Sequence, residues 1–188
     1  MPIYEFEGKR PVIDATAWVA PSADIIGDVR IGPRCYVGWQ AVLRGDHGRI
    51  VIEAGSAIEE GVIVHTSPEF VSRIGPEATI GHGAMLHNAT IEAFAVIGIR
   101  ATVSNFATVG EWAIIGEMGL VRERQMIAPG VIAVGQPVKI IGQIESRHQE
   151  RWLAAKKRYQ DFTQRNRLGL VEVSGAGCQG KERLDAET

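Results

Sequence analysis

Aliphatic residues recur at every sixth position along most of this 188-residue chain. The pattern changes phase only three times, and a glycine often follows the aliphatic residue, with a small residue four positions beyond it. The positions of the repeat are Val19, Ile25, Ile31, Val37, Leu43, Ile52, Ile58, Val64, Ile74, Ile80, Leu86, Ile91, Ile97, Val103, Val109, Ile115, Val121, Ile127 and Ala133. A period of six matches neither the 3.6-residue period of an α-helix nor a succession of tight hairpins.

Such a repeat predicts a solenoid in which each hexad forms a short strand and a corner. Three hexads would close one triangular coil, so residues 18 apart would stack about 4.8 Å from each other. The aliphatic residue would fill the interior, the small residue would avoid crowding it, and glycine would tolerate the corner dihedrals. We therefore predict an all-β parallel β-helix rather than a β-sandwich with turns every 8–12 residues. The period by itself leaves the handedness open.

The repeat fades before Gly135-Gln136-Pro137, and this segment is predicted to end the coil because proline cannot continue a paired parallel ladder. From about Gln143 to Leu168 apolar residues recur at spacings of three and four, which predicts an α-helix with a solvated basic outer face. We divide the chain into a β-helix domain of residues 1–142, a C-terminal helix of residues 143–170 packed on the coil, and a disordered tail of residues 171–188.

Composition excludes several classes of function. A net charge of −2 and a pI near 6.2 give no electrostatic reason to expect nucleic acid or an anionic membrane as a partner. No apolar run approaches the ~20 residues of a membrane span, and the first residues lack the features of a signal peptide, so we expect a cytoplasmic protein. The two cysteines, Cys35 and Cys178, are not expected to form a structural disulfide or a zinc site.

Three of the five histidines lie within 23 residues of the repeat. His65 and His87 each follow the aliphatic residue of their hexad, and they are 22 positions apart. This separation equals one coil of 18 residues plus an insertion of four within residues 68–72, so both histidines should share a column on adjacent coils. Two imidazoles stacked at one strand spacing can chelate a single ion, with Zn–N bonds of about 2.0–2.1 Å.

His82 falls in the preceding hexad, on a different side of the triangle, and is poorly placed to join the pair of its own chain. It could reach the pair of a neighbouring chain if two coils abut, which predicts a homotrimer with three intersubunit sites. Three neutral imidazoles leave the fourth coordination position of the metal open. A water molecule bound there would have its pKa lowered from ~15.7 to about 7. The other two histidines, His47 and His148, are interpreted as parts of a loop and of the helix face.

At Leu43-Arg44-Gly45-Asp46, at Val64-His65 and from Gly81 to His87 the chain resembles the γ-class carbonic anhydrase family. The opening Met-Pro-Ile-Tyr of the chain, the Arg-Gly-Asp-His-Gly-Arg segment and Tyr159-Gln160-Asp161 resemble the bacterial branch of phenylacetate-degradation and carnitine-operon proteins. The three-histidine pattern carries the resemblance, which extends over residues 1 to about 170, because hexads alone would also suit sugar or acyl transferases. The resemblance implies a left-handed β-helix and a homotrimer. It also implies that these histidines bind Zn²⁺ (or Fe²⁺ or Co²⁺), the first and last from one subunit and the middle one from another.

The resemblance also implies roles for five further residues. Arg44 and Asp46 would form an ion pair between subunits that lines the site. Glu59-Glu60 occupies the place of a Gln-Asp pair that orients the metal hydroxide in the family, although a carboxylate accepts hydrogen bonds and cannot donate like an amide. Tyr159 occupies the place of a helix tyrosine that approaches the metal in relatives. The family's proton-shuttle glutamates have no match here except Glu69.

Three functions are compatible with this site. The leading hypothesis is reversible CO2 hydration, in which metal hydroxide oriented by Glu59 attacks CO2 and Arg44 holds bicarbonate. The second is hydrolysis of acyl-CoA thioesters of aromatic-acid catabolism, with Arg44, Arg49 and Arg73 as candidates to meet the CoA phosphates. The third is a non-catalytic scaffold whose subunits are joined by the metal. An acyltransferase with a single histidine base is the weakest option, because one base needs no array of three histidines.

Overall fold

In the computed structural model, residues 2–173 are described, and they form a left-handed parallel β-helix followed by an α-helix. The elements in chain order are β1 (Ile3–Tyr4), β2 (Val12–Ile13), β3 (Trp18–Val19), β4 (Asp24–Ile31), β5 (Tyr36–Val37), β6 (Val42–Ile52), β7 (Ala57–Ile58), β8 (Ile63–His65), β9 (Val71–Ile74), β10 (Thr79–Ile80), β11 (Met85–His87), β12 (Thr90–Ile91), β13 (Val96–Ile97), β14 (Thr102–Val103), β15 (Thr108–Val109), β16 (Ile114–Ile115), β17 (Leu120–Val121), β18 (Met126–Ile127), β19 (Val131–Val134), β20 (Lys139–Gln143) and α1 (Ser146–Gly169). The predicted fold class is confirmed.

The coil has three sides. The first side contains β3, β5, β7, β10, β13, β16 and β19. The second side contains β8, β11, β14 and β17, and the third contains β9, β12, β15 and β18; β4 and β6 bend at the corner and contribute to both. We call the junction of the first and second sides the first corner, and the junction of the second and third sides the second corner. In the regular part of the coil, Ile97 pairs with Ile115, as an 18-residue turn requires.

The aliphatic positions of the repeat form the core. Eighteen of the nineteen are buried, and the exception, Val19, is half-buried near the N-terminal end. The small residues four positions later are also buried, as at Ala95 and Ala113. Complete burial of a stacked aliphatic column is the main favourable contribution to the free energy of folding of such a coil.

The expected role of the repeated glycines is wrong. The left-handed corner conformation occurs three positions after the aliphatic residue, as at Arg100 (φ 55°), not at the glycine immediately after it. At Gly98 an added Cβ would lie 2.6 Å from the backbone nitrogen of Glu117 and the carbonyl carbon of Gly116 on the next coil. Glycine is therefore required there because the backbones of adjacent coils approach too closely for a side chain.

All three phase changes of the repeat fall at the second corner. They lie between Leu43 and Ile52, between Val64 and Ile74, and between Leu86 and Ile91. The strands on both sides of that corner keep their pairing, so the irregular residues are accommodated in the corner itself. The irregularity of the sequence thus marks the one corner at which the chain departs from a plain solenoid.

The parallel coil ends at β19, and β20 returns antiparallel to it across Gly135-Gln136-Pro137. Helix α1 begins three residues later than predicted, because Lys139–Gln143 pairs with β19 as a strand instead of starting a helix. The helix then packs along the first side, where Lys156 Nζ donates to Thr79 Oγ1 at 3.0 Å. No helix of residues 2–173 is both long and apolar enough to cross a membrane. The predicted tail from residue 174 onward, with Cys178, lies outside the described residues.

Candidate metal centre

The predicted histidine column is present at the second corner. Strands β8 and β11 are paired in register, and His65 lies directly opposite His87. His65 Nδ1 is 3.0 Å from His87 Nε2, and the two ring centroids are 5.0 Å apart. The prediction that the insertion leaves both imidazoles in one column is confirmed.

The outer nitrogens of the two rings contact oxygen atoms that act as acceptors. His87 Nδ1 donates to Asn105 Oδ1, and His65 Nε2 lies 3.3 Å from the carboxylate of Asp46. With protons on these outer nitrogens, the inner nitrogens 3.0 Å apart each present a lone pair, and two facing lone pairs repel unless a cation lies between them. Two Zn–N bonds at a tetrahedral angle would separate the nitrogens by about 3.3 Å, so this donor pair fits a shared metal ion.

Asp46 links the histidine column to Arg44. Arg44 Nη1 donates to Asp46 Oδ2 at 2.7 Å, so the ion pair that the resemblance placed between subunits forms within one chain. The reason is that residues two apart on a strand have their side chains on the same side. Burial alone would raise the pKa of Asp46, but the Arg44 guanidinium and the backbone N–H of His47 together outweigh it, so that pKa is lowered. Burial and the charge of Arg44 lower the pKa of His65, which favours the neutral imidazole that a metal requires.

His82 lies at the first corner, one full side of the coil away from the histidine column. Its Nε2 is 3.1 Å from Glu59 Oε2 and its Nδ1 is 2.7 Å from Glu60 Oε2, and its backbone N–H also donates to Glu59. The side chain is 46% exposed. Within residues 2–173 no group of three or more His, Cys, Asp or Glu is arranged to hold a metal ion. His82 is thus separated from the pair in its own chain, as its register predicted.

Two tyrosines lie beside the carboxylates of the first corner. Tyr36 donates to Glu60 Oε1 at 2.7 Å, and the Tyr159 hydroxyl is close enough to Glu59 to affect its pKa. The rings of Tyr36 and Tyr159 are 5.1 Å apart, and the Tyr36 ring stacks on Trp18. Burial raises the pKa of Glu59, although the Tyr159 hydroxyl and His82 act in the opposite direction. Burial and the adjacent carboxylates raise the pKa of both tyrosines, which therefore remain hydrogen-bond donors.

The other two basic residues predicted to meet CoA phosphates are paired with carboxylates, as Arg44 is with Asp46. Arg49 Nε donates to Asp28 at 2.8 Å, and Arg73 is paired with both Glu53 and Glu92 on the third side. Their guanidinium groups are thus occupied by carboxylates of their own chain, and the charges are largely balanced.

Sequence reasoning missed two contacts of the site. Asn105 stands 18 residues after His87, one full coil, and this spacing was available in the sequence. Tyr36 contacts Glu60 across 24 positions, and the period alone gave no signal for it. Glu69, the one candidate for a proton shuttle, is an exposed loop residue with φ 63°.

The comparisons with known proteins agree with this architecture. No family profile matches the chain. The carnitine operon protein CaiE of Proteus sp. (strain LE138) is 36% identical over 174 residues, which cover 93% of this chain and 88% of CaiE. The chain belongs to the CaiE family of hexapeptide-repeat proteins. CaiE of Salmonella newport (strain SL254) is also 36% identical, over 92% of this chain and 87% of its own length.

Solved structures extend the CaiE relationship to a wider group of hexapeptide-repeat proteins. A Bacillus cereus protein proposed to be an acetyltransferase superposes with a TM-score of 0.85 at 28% identity, covering 86% of this chain and 94% of its own. A hexapeptide transferase family protein from Anaplasma phagocytophilum gives a TM-score of 0.83 at 28% identity, over 87% and 96% of the two chains. The CaiE family thus shares its fold with proteins named as transferases.

Proposed function

We propose that this CaiE family member is a metal-dependent enzyme that hydrates CO2 at sites shared between the subunits of a homotrimer. The observation that carries the proposal is the pair of inner nitrogens of His65 and His87, 3.0 Å apart, with their outer nitrogens bound to Asp46 and Asn105. Such partners fix the tautomer and the ring orientation of metal-binding histidines. Zn²⁺, or Fe²⁺ or Co²⁺ in its place, would supply a hydroxide at neutral pH when bound there.

The third ligand would come from a neighbouring subunit. The second side separates the His82 corner from the histidine column, and its outward residues next to the column include Ile63 and Met85, which are 38% and 46% exposed. Apolar side chains of this size beside a polar site favour contact with a second copy of the chain. Packing the second side of one subunit against a neighbour would bring His82, together with Glu59 and Glu60, to the column of the adjacent chain.

Some residues of the chain would orient the reacting groups, and Arg44 would bind the product. Glu59, 6% exposed and bonded to the backbone N–H of His82, would accept the hydrogen bond that orients the attacking oxygen. Glu60, held by Tyr36, would keep His82 in position. On the other subunit, Asp46 would fix the tautomer of His65, and the free N–H groups of Arg44 would hold bicarbonate. The family's proton-shuttle glutamates have no match in this chain except Glu69, an exposed loop residue. The proton released in the reaction would therefore pass to a buffer molecule.

Oxygen-isotope exchange between CO2 and water tests this function. The protein would be loaded anaerobically with Zn²⁺, Fe²⁺ or Co²⁺ and assayed in several buffers. We expect exchange that depends on metal and buffer, and we expect its loss in His87→Ala. His148→Ala, a control at the start of α1, should keep wild-type activity. Absence of exchange with every metal and buffer would refute CO2 hydration.

A second candidate function is hydrolysis of acyl-CoA thioesters by the same site. It is favoured by a cleft of about 350 Å³ between α1 and the first side, which reaches Glu59 and His82 and is far larger than CO2 needs. Hydroxide would add to the thioester carbonyl, the C–S bond would break, and the thiolate would leave and take up a proton. Release of free thiol from a panel of CoA esters, lost in His87→Ala, would support it.

Two other functions make distinct predictions. A scaffold joined by metal would lose trimer content and melt at lower temperature after chelation, without turning over any substrate. An acyltransferase, as the names of the structural neighbours suggest, would keep acyl-transfer activity after the metal is stripped.

A further inference from the structure

The cleft beneath α1 is elongated. On the coil it is lined by residues of four successive turns, including Glu59, Thr79, Val96 and Ile114. Since adjacent strands are about 4.8 Å apart, the cleft spans about 14 Å along the coil. Its volume of about 350 Å³ lies within the usual range of small-molecule sites.

The direction of helix α1 fixes where its side chains lie along the cleft. The helix runs against the direction of the coil, because Lys156 contacts Thr79 of β10 whereas Tyr159 contacts Glu59, which lies one coil earlier. Arg151, earlier in the helix, therefore lies toward the later coils of β13 and β16. Arg158, next to Tyr159, lies at the end of the cleft that Glu59 also lines.

Two guanidinium groups line the helix wall of the cleft. Arg151 and Arg158 are seven residues apart, which is two helical turns or about 10.5 Å on one face. Both are exposed, and neither forms an ion pair with a carboxylate of the described part of the chain. Between them lie Trp152 and Ala155, and Val96 and Ile114 face them from the coil. Two separated cations with an apolar surface between them suit a ligand with an anion at each end.

We propose that this cleft binds a straight-chain α,ω-dicarboxylate, which defines the substrate class as ω-carboxyacyl compounds. Each guanidinium would hold one carboxylate bidentately, and the apolar chain would lie between α1 and the first side. An extended chain advances about 1.25 Å per bond, so about eight carbons span the distance. A polyphosphate fits poorly, because it needs clustered cations. This proposal rests on the proposed thioesterase function and specifies its substrate class. The carboxylate next to Arg158 would correspond to the acyl carbon of the thioester, at the end of the cleft that reaches His82.

Binding of suberate, octanoate and succinate to the full-length, metal-loaded protein tests the proposal, by calorimetry and by Trp152 fluorescence. We expect suberate to bind about tenfold more tightly than octanoate, which has the same number of carbons and one carboxylate. Succinate should also bind about tenfold more weakly, because it is too short to reach both arginines. Arg151→Gln should lower suberate affinity to the level of octanoate.

Lys157→Gln is the matched control, because it removes the same charge from an exposed neighbour that does not line the cleft. It should leave suberate affinity unchanged. Equal affinity for suberate and octanoate, no binding at all, or an equal loss in Arg151→Gln and Lys157→Gln would overturn the proposal. The assay is separable from catalysis: His87→Ala should still bind suberate although it lacks activity. Suberate binding by a protein that hydrolyses no CoA thioester would refute only the proposed thioesterase function.

Discussion

Replacing Lys156 with methionine should make the protein more stable at neutral pH. Lys156 is a lysine of α1 that is 2% exposed, and its Nζ donates to Thr79 Oγ1 at 3.0 Å. Burial lowers the pKa of Lys156 from 10.5 to about 8, against the opposing effect of the carboxylates of Glu77 and Glu59. Methionine has a similar length and flexibility and can fill the same space without a charge.

The expected gain follows from that pKa. The difference of about 2.5 between the unfolded and folded values corresponds to about 3 kcal/mol of unfolding free energy lost to burying the ammonium at pH 7. Removal of the hydrogen bond to Thr79 would cost about 1 kcal/mol. Lys156→Met should therefore raise the unfolding free energy by about 2 kcal/mol, and the melting temperature by about 4–8 °C for a chain of this length.

The pH dependence has a defined sign. The unfolded lysine keeps its proton up to its ordinary pKa of 10.5, whereas the folded lysine loses it near pH 8. The unfolded state thus binds more protons between these values, and wild-type stability rises with pH there. The advantage of Lys156→Met should shrink by about 1 kcal/mol between pH 7 and pH 9.

Equilibrium urea unfolding at both pH values and at matched protein concentration measures this difference. Lys157→Met, which changes an exposed lysine next in the chain, is the control and should change stability by less than about 0.5 kcal/mol. The reasoning is refuted if Lys156→Met is less stable than wild type at pH 7, or if its advantage is the same at pH 9.

Three further predictions concern the site and the core. Asn105→Ala should weaken metal affinity about 10–100-fold in chelator competition, because His87 loses its outer partner; unchanged affinity would contradict that role. Ile97→Ala, at a fully buried position of the column, should lower the unfolding free energy by about 3 kcal/mol in urea; a loss below about 1 kcal/mol would mean that the core is not close-packed. Tyr159→Phe should lower the unfolding free energy by about 1 kcal/mol, because buried Glu59 loses a neighbouring hydroxyl that lowers its pKa; a neutral change would mean that the hydroxyl does not stabilise Glu59.

The sequence was sufficient for the coil and for the histidine column. A strict period fixes which side chains point inward, and parallel pairing fixes which residues stack, so His65 and His87 could be aligned by counting. The separation of His82 from that pair followed from the same register. These features depend on backbone pairing alone, which a repeat specifies directly.

Other features could not be read from the period. The glycine at position 98 is required by the approach of the neighbouring backbone, a distance that the pattern does not contain. The pairing of Tyr36 with Glu60 depends on side-chain rotamers at the first corner. The start of α1 was placed three residues too early because Ile144 continues the apolar spacing of the helix although it lies before the first helical residue, Ser146.

Subunit mixing tests most directly whether each metal site is shared between chains. His82→Ala and His87→Ala protomers would be unfolded together, refolded at equal amounts, and analysed for bound metal. Each variant alone should be metal-free. In a ring of three, every mixed trimer regains one intact site, and about three quarters of randomly assembled trimers are mixed, so metal content should return to about a quarter of wild type. Metal content that stays at zero in the mixture would contradict a site completed by His82 of a neighbouring subunit.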